Sequence, residues 1–239
     1  MSDAASFDGV AGVYDAARPT YPQTSVDWLV PPGARHVVDV GAGTGKFTAF
    51  LRRPGREVVA VEPSEAMLAV LRSGLPEVRA VAGSAERMPL PDASADAVTF
   101  AQAWHWVDVA AASAEVARVL RPGGTLSLVW NLRDERVPWV RELGVAMRAD
   151  GDHFRGEDDE DPAVDVPFGA PERHHVGWTQ PVDREVLDAM VRSRSYFPLL
   201  SETEQRETLH AVDAVLDRHE LQGVFALPWV TASFRYRRP

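Results

Sequence analysis

Between residues 34 and 131 the chain alternates short β-branched runs with segments whose apolar residues recur at helical spacing, the pattern of successive βα units in a parallel sheet. His36-Val37-Val38-Asp39-Val40 predicts a first strand and residues 45–53 its following helix, ended by Pro54-Gly55. Residues 57–62 predict a second strand, after which Ser64 caps a helix whose Met67, Leu68 and Leu71 form an apolar stripe. Third and fourth strands are expected at 78–82 and 95–100. Asp108 stands as the N-cap of a helix with Val109, Ala112, Val116, Val119 and Leu120 on one face. Pro122-Gly123-Gly124 is expected to stop that helix, and residues 125–130 to form a fifth strand.

The second half has a different texture. Helices are predicted over 139–147 and 183–194, the latter with Val186, Leu187, Met190 and Val191 facing inward. Ser201 and Glu204 form a capping box for another helix, with Leu209, Val212, Val215 and Leu216 as its apolar face. Val176 and Trp178 suggest a strand. In a closing strand, Val230, Ala232, Phe234 and Tyr236 alternate with Thr231, Ser233, Arg235 and Arg237, a period of two. The dense acidic run at 156–162 reads as a solvated loop in preference to a metal site.

Composition narrows the function classes. At 239 residues, 45% hydrophobic and 25% charged, the chain reads as one soluble globular domain. Its net charge of -10 disfavours nucleic acid and anionic membranes as partners and leaves small molecules. The absence of cysteine removes disulfides, thiolate metal sites and a thiol nucleophile. Met1-Ser2-Asp3 lacks the basic and apolar regions of a secretory leader, and no apolar run approaches the roughly 20 residues of a membrane span, so a cytoplasmic protein is expected; a monomer and a homodimer both stay open. Lys46 is the only lysine; the arginine excess reads as GC-rich codon usage.

The chemistry concentrates where the first strand runs into Gly41-Ala42-Gly43-Thr44-Gly45-Lys46. Such a loop lets backbone approach a ligand closely. A P-loop is excluded, because Val40 replaces its first glycine and Phe47 its hydroxyl residue. A dinucleotide fingerprint is weak, because Lys46 stands at its third glycine. Asp39, expected at the lip of the loop, would repel a pyrophosphate but attract an α-ammonium group. Glu62, ending the second strand, is placed for the two hydroxyls of a ribose. An amino acid moiety joined to a ribose describes S-adenosyl-L-methionine.

The ordered motifs Val38-Asp39-Val40-Gly41-Ala42-Gly43-Thr44-Gly45, Val61-Glu62-Pro63-Ser64, Gly83-Ser84-Ala85-Glu86-Arg87-Met88-Pro89 and Val119-Leu120-Arg121-Pro122-Gly123-Gly124 resemble class I S-adenosylmethionine-dependent methyltransferases of the small-molecule type. Tyr14, Arg18-Pro19, Tyr21, Trp104-His105-Trp106 and Ser193-Arg194-Ser195-Tyr196 are similar to a trans-aconitate methyltransferase-like subgroup. The resemblance implies an α/β, Rossmann-like, doubly wound seven-stranded sheet. It is mostly parallel, with the last strand antiparallel and inserted between the fifth and sixth, and carries helical lid elements. It also implies a division into an N-terminal arm (1–33), a cofactor-binding core (34–131), lid helices and acceptor region (132–223) and a closing strand (224–239). Ser84, Ala85 and Glu86 are implied to lie against adenine, with Ser84 standing where the family often has aspartate. Ala42, Thr44, Pro63, Met67 and Gln102 complete the cofactor contacts the resemblance implies. The product would be S-adenosyl-L-homocysteine.

His105 follows the fourth strand at the carboxyl edge of the sheet, flanked by Trp104 and Trp106, whose faces are expected to line an apolar acceptor pocket or sit near the sulfonium charge. It would serve as a base toward an alcohol or phenol, as a donor toward a carboxylate, or as a packing residue. An N-terminal arm folded over the cofactor would bring Arg18 to the methionine carboxylate and Tyr14 and Tyr21 over the pocket. Asn131, Ser193, Arg194 and Tyr196 are candidate acceptor contacts. His174 and His175, adjacent on a strand, point to opposite faces and cannot easily share an ion; no metal is expected. Rival readings are a nicotinamide-dinucleotide oxidoreductase and a non-catalytic module that binds S-adenosylmethionine.

Overall fold

A parallel sheet carries helices on both faces, so its strands are apolar on both sides. β1 (His36–Val40), β2 (Glu57–Glu62), β3 (Arg79–Ala82) and β4 (Ala95–Ala101) are rich in valine and alanine. The computed structural model describes residues 19–148, 153–154, 161–194 and 196–239, and in it Val38, Val40, Ala60, Val61, Ala97 and Val98 are buried. The four strands pair in the order β3-β2-β1-β4, every pair parallel. The Asp96 carboxylate sets the start of β1 by accepting the backbone N–H groups of Arg35 and His36, both at 2.8 Å.

Four helices accompany these strands: α1 (Gln23–Leu29), α2 (Lys46–Leu51), α3 (Glu65–Gly74) and α4 (Val109–Val119). The expected caps are present, with Ser64 Oγ accepting from Met67 N–H and Asp108 Oδ1 from Ala111 N–H. β5 (Leu120–Asp134) is longer than the expected 125–130 and takes in the Pro122-Gly123-Gly124 segment. Its ladder is extended because Gly123 N–H donates to the Arg238 carbonyl and Arg238 N–H to the Gly124 carbonyl.

α5 (Pro138–Ala146), the two-residue β6 (His153–Phe154), β7 (Glu172–Val182), α6 (Arg184–Arg192), α7 (Glu202–Arg218) and β8 (Phe225–Arg237) follow. Seven strands lie in the order β3-β2-β1-β4-β5-β8-β7, with β6 pairing in parallel beside the end of β5. Gly124, near the start of β5, bonds to Arg238 just past the end of β8, whereas Asn131, near the end of β5, meets Thr231. Arg235 likewise meets Glu172 while Trp229 stacks on Trp178. The last strand therefore runs antiparallel to both neighbours. This is the Rossmann-like, mostly parallel sheet implied by the motifs.

The chain clusters into two compact units. One, formed by Tyr21–Trp130, Asp161–Val176 and Ala232–Pro239, holds β1–β4, α1–α4 and a core around Val26, Leu29, Val37, Phe47 and Leu51. The other, with the described residues of 131–160 and 177–231, holds α5–α7 around Leu143, Met147, Leu187, Val191, Leu216 and Trp229. Asp183 caps α6, and Ser201 with Glu204 forms the capping box of α7. Two details of periodicity are corrected. Thr208 is buried on α7 where Leu209 is half-buried. Thr231 and Ser233, expected on a polar face, are buried because β8 is covered on both faces, its consecutive residues 229–234 all being buried.

Candidate active site

Four parallel strands end along one edge, and β1 and β4 part there, since the chain winds outward from β1 to β3 on one side and continues through β4 on the other. Open α/β sheets bind ligands at such a switch point. Gly41, Gly43 and Gly45 all take positive φ, at 66°, 57° and 90°. Their surroundings differ. A Cβ on Gly41 would come within 2.6 Å of Ala103 Cβ, and one on Gly45 within 2.9 Å of Leu71. A Cβ on Gly43 would meet nothing within 4 Å. The outer glycines thus serve packing against the segment after β4 and against α3, and the middle one faces open space.

The donors of the loop point inward. Gly41 and Ala42 N–H donate to the Val61 carbonyl at 2.9 and 3.2 Å, Gly45 N–H to the Ala42 carbonyl at 2.9 Å, and Gly43 N–H to Glu62 Oε2 at 2.9 Å. A pyrophosphate cradle requires such groups to face the ligand. Glu62, 7% exposed, also accepts from Ser64 N–H at 3.0 Å, so its carboxylate joins the loop to the start of α3 while each oxygen retains a further lone pair.

Asp39 lies beneath the loop and not at its lip, with only 1% of its surface exposed. Its oxygens accept from Thr48 Oγ1 at 2.6 Å and Thr99 Oγ1 at 2.9 Å. Thr99 is delivered by the parallel register, which sets it beside Asp39. Burial pushes the Asp39 carboxyl up to about 6; the two hydroxyls oppose this, and the negative charge of Glu62 adds to it. The floor is acidic, and the N–H groups of Gly41, Ala42, Gly43 and Gly45 are already engaged within the protein.

Around this floor, Ser84 and Arg87 close a small turn through mutual backbone bonds of 3.2 Å, with Ala85 buried. Glu86 Oε1 accepts from Asp108 N–H at 3.1 Å, which anchors the turn to α4. Met67 is buried and Pro63 exposed beside Glu62. Gln102 takes φ 55°, a conformation costly for a side-chain-bearing residue and concentrated at functional sites.

Residues 38–128 match a family model described as a methyltransferase domain. An uncharacterized methyltransferase of Mycobacterium tuberculosis, Rv3342, is 48% identical over 233 residues, covering 96% of this chain and 94% of its own. The chain belongs to the methyltransferase family. A malonyl-(acyl-carrier protein) O-methyltransferase of Serratia marcescens is 35% identical to this methyltransferase over 128 residues, which is 52% of this chain and 50% of its own. A solved structure from Anaeromyxobacter dehalogenans, provisionally assigned as a type II methyltransferase, superposes with a TM-score of 0.68 at 26% identity, covering 92% of this chain and 97% of that one.

The remaining candidate residues of the methyltransferase separate into groups. Trp104, His105 and Trp106 form a 3₁₀ turn directly after Ala103, the residue packed on Gly41. Trp104 is 3% exposed, packs edge-on against Phe100 and donates from Nε1 to the Ala163 carbonyl at 2.8 Å. It anchors the turn in the core and does not line a pocket. Trp106 is 67% exposed and His105 is exposed beside it. Tyr21 is likewise a core residue, its ring 4.8 Å from that of Phe47, because the segment leading into α1 lies against α2.

Asn131, only 2% exposed, donates to the Thr20 carbonyl and accepts from Thr231, so its amide braces the backbone in place of presenting itself to an acceptor. Ser193 bonds back to the Met190 carbonyl, and the Tyr196 hydroxyl donates to the Met147 carbonyl, so both act within the α5–α7 unit that also contains Arg194. Tyr14 and Arg18 lie outside the described residues. His174 stacks on Trp28 while His175 meets Phe234. Among the described residues no helix is long and apolar enough to cross a membrane.

Three residues that contact the candidate site residues are not singled out by the sequence pattern. Thr48 and Thr99 read as ordinary members of a helix and an apolar strand. Trp130 read as a strand end, although its Nε1 lies 3.4 Å from His105 Nδ1.

Proposed function

We propose that the methyltransferase moves a methyl group from S-adenosyl-L-methionine to a small organic acceptor, with a carboxylate or hydroxyl oxygen as the first choice of methylated atom and nitrogen as the second. The observation that carries this reading is the inward orientation of the Gly41, Ala42, Gly43 and Gly45 N–H groups above two carboxylates. That arrangement repels a pyrophosphate and suits a ligand bearing an ammonium and a sulfonium.

The residues present fit the cofactor. Gly43 leaves room at the loop tip, the unused lone pairs of Glu62 accept the ribose hydroxyls, and Asp39 supplies negative charge below the loop for the α-ammonium group. Ser84, Ala85 and Glu86 flank the adenine, with Pro63, Met67 and Gln102 around the nucleoside. Ser84 gives a neutral, weaker contact than a carboxylate would. Arg18 and Tyr14 belong to the arm that closes over the methionine end. The chemistry supplied by the bound cofactor is an electrophilic methyl on a sulfonium sulfur. The chain's own part is to align the acceptor with the methyl–sulfur axis and to exclude water. Likeness of the Trp104-His105-Trp106 segment to trans-aconitate methyltransferase-like proteins supports an oxygen acceptor.

Calorimetric titration with S-adenosylhomocysteine, with NAD as comparison, tests the reading. Micromolar affinity for the first and none for the second is expected; the reverse would return the dinucleotide oxidoreductase to first place.

A further inference from the structure

His105 sits on a turn fixed from two directions, both within the unit that holds the glycine loop. Trp104, the preceding residue, is locked into the core by Phe100 and the Ala163 carbonyl. Ala103, two residues before His105, abuts Gly41 of the loop. This places His105 beside the cofactor loop at the carboxyl edge of the sheet. Its ring orientation is set by a third contact, the indole N–H of Trp130, which donates to His105 Nδ1 at 3.4 Å. Trp130 is itself held on β5, its ring edge against Phe234 at 5.9 Å.

An indole nitrogen can only donate, so Nδ1 of His105 must offer its lone pair, and the ring hydrogen of the neutral imidazole resides on Nε2. This is the reverse of a histidine that serves as a general base. A base needs its lone pair on the nitrogen that faces the reacting group and its hydrogen on the other, where a carboxylate or carbonyl normally receives it. Here that other nitrogen would set an N–H against the N–H of Trp130.

We infer that Trp130 is a positioning residue that holds His105 in the Nε2–H tautomer, so that His105 donates a hydrogen bond to the methyl acceptor and removes no proton from it. This rests on the reading of the site as a methyl-transfer centre. The acceptor class follows from the chemistry. An acceptor that needs no base must arrive with its lone pair ready, and one that receives a hydrogen bond from Nε2–H must be a hydrogen-bond acceptor; a carboxylate satisfies both. The transfer then balances without proton movement. A carboxylate oxygen forms the O–CH₃ bond and the CH₃–S bond breaks with its electron pair remaining on sulfur. Anion and sulfonium become a neutral ester and a neutral thioether. The hydrogen bond from Nε2 orients the carboxylate, and the exposed Trp106 face, tilted beside His105 with ring centroids 4.8 Å apart, gives the acceptor an apolar wall.

The experiment uses the full chain and has two arms. Long-range ¹H–¹⁵N spectra of the uniformly labelled protein saturated with S-adenosylhomocysteine report the His105 tautomer directly, with His105→Gln providing the assignment. The Nε2–H pattern is expected in the wild type and a mixture of tautomers in Trp130→Phe, which keeps the ring and removes the N–H. An Nδ1–H pattern, or a tautomer indifferent to Trp130→Phe, overturns the inference.

In the second arm, carboxylic acids, phenols, alcohols and primary amines are screened as acceptors. Carboxylates are expected to turn over, with His105→Ala losing about ten- to a hundred-fold in kcat/KM. His105→Gln, a donor without a basic lone pair, should recover most of that loss. Turnover confined to acceptors that must shed a proton, or Gln as inactive as Ala, sinks the donor role. Failure to bind S-adenosylhomocysteine at all is a separate result: it removes the methyl-transfer reading, and the acceptor claim with it, while the same spectra recorded on the ligand-free protein still decide the tautomer.

Discussion

At the scale of single residues, Asp39 combines a cost to folding with its placement under the ligand loop. A carboxyl whose value is raised from 3.8 to about 6 in the folded protein leaves stability whole below pH 4. Stability then falls as pH rises through the folded value, because the unfolded chain releases its proton first. The displacement corresponds to about 3 kcal/mol at neutral pH. Asp39→Asn removes the titration while its amide still serves both threonine hydroxyls. We expect urea unfolding to show the variant gaining about 2–3 kcal/mol relative to wild type between pH 4 and pH 7.5, together with a loss of S-adenosylhomocysteine affinity. A stability difference that does not change with pH would mean that Asp39 titrates at its ordinary value. This residue was legible in the sequence as an acid two positions before the glycines. Its burial was not, because Thr99 becomes its neighbour only through the pairing of β1 with β4.

The glycine loop separates folding from function at the scale of one element. Alanine at Gly41 carries both the left-handed φ and a 2.6 Å collision with Ala103, so Gly41→Ala should destabilise the protein by roughly 2 kcal/mol or more. Gly43→Ala incurs only the backbone term, about 1 kcal/mol, because its Cβ projects into open space. We therefore expect a folded Gly43→Ala protein with at least ten-fold weaker S-adenosylhomocysteine binding, checked by thermal melts alongside calorimetry. Unchanged affinity would show that the ligand does not approach the loop tip. The extents of β1 and β2 were readable from their β-branched runs, and the caps at Ser64, Asp108 and Ser201 because each bonds within three residues. The reach of β5 to residues 120–134 was not, since its first turns are held by Arg238, far along the chain.

For the molecule as a whole, the proposed site draws on the N-terminal arm. Removing residues 1–18, which include Tyr14 and Arg18, should weaken S-adenosylhomocysteine binding by ten-fold or more if the arm closes over the methionine end, as measured by calorimetry on the truncated chain. Equal affinity would separate the arm from the cofactor. The sequence by itself determined the βα alternation, the acid–glycine–acid order at the ends of the first two strands and the likeness to methyltransferases, because strand periodicity, capping and loop chemistry are written in neighbouring residues. Only the tertiary structure decided which aromatic residues are core and which face outward, that Asn131 braces backbone, that the loop donors turn inward, and that Trp130 reaches His105. Each of those depends on partners brought together by sheet pairing across tens of residues, where no local pattern constrains the pair.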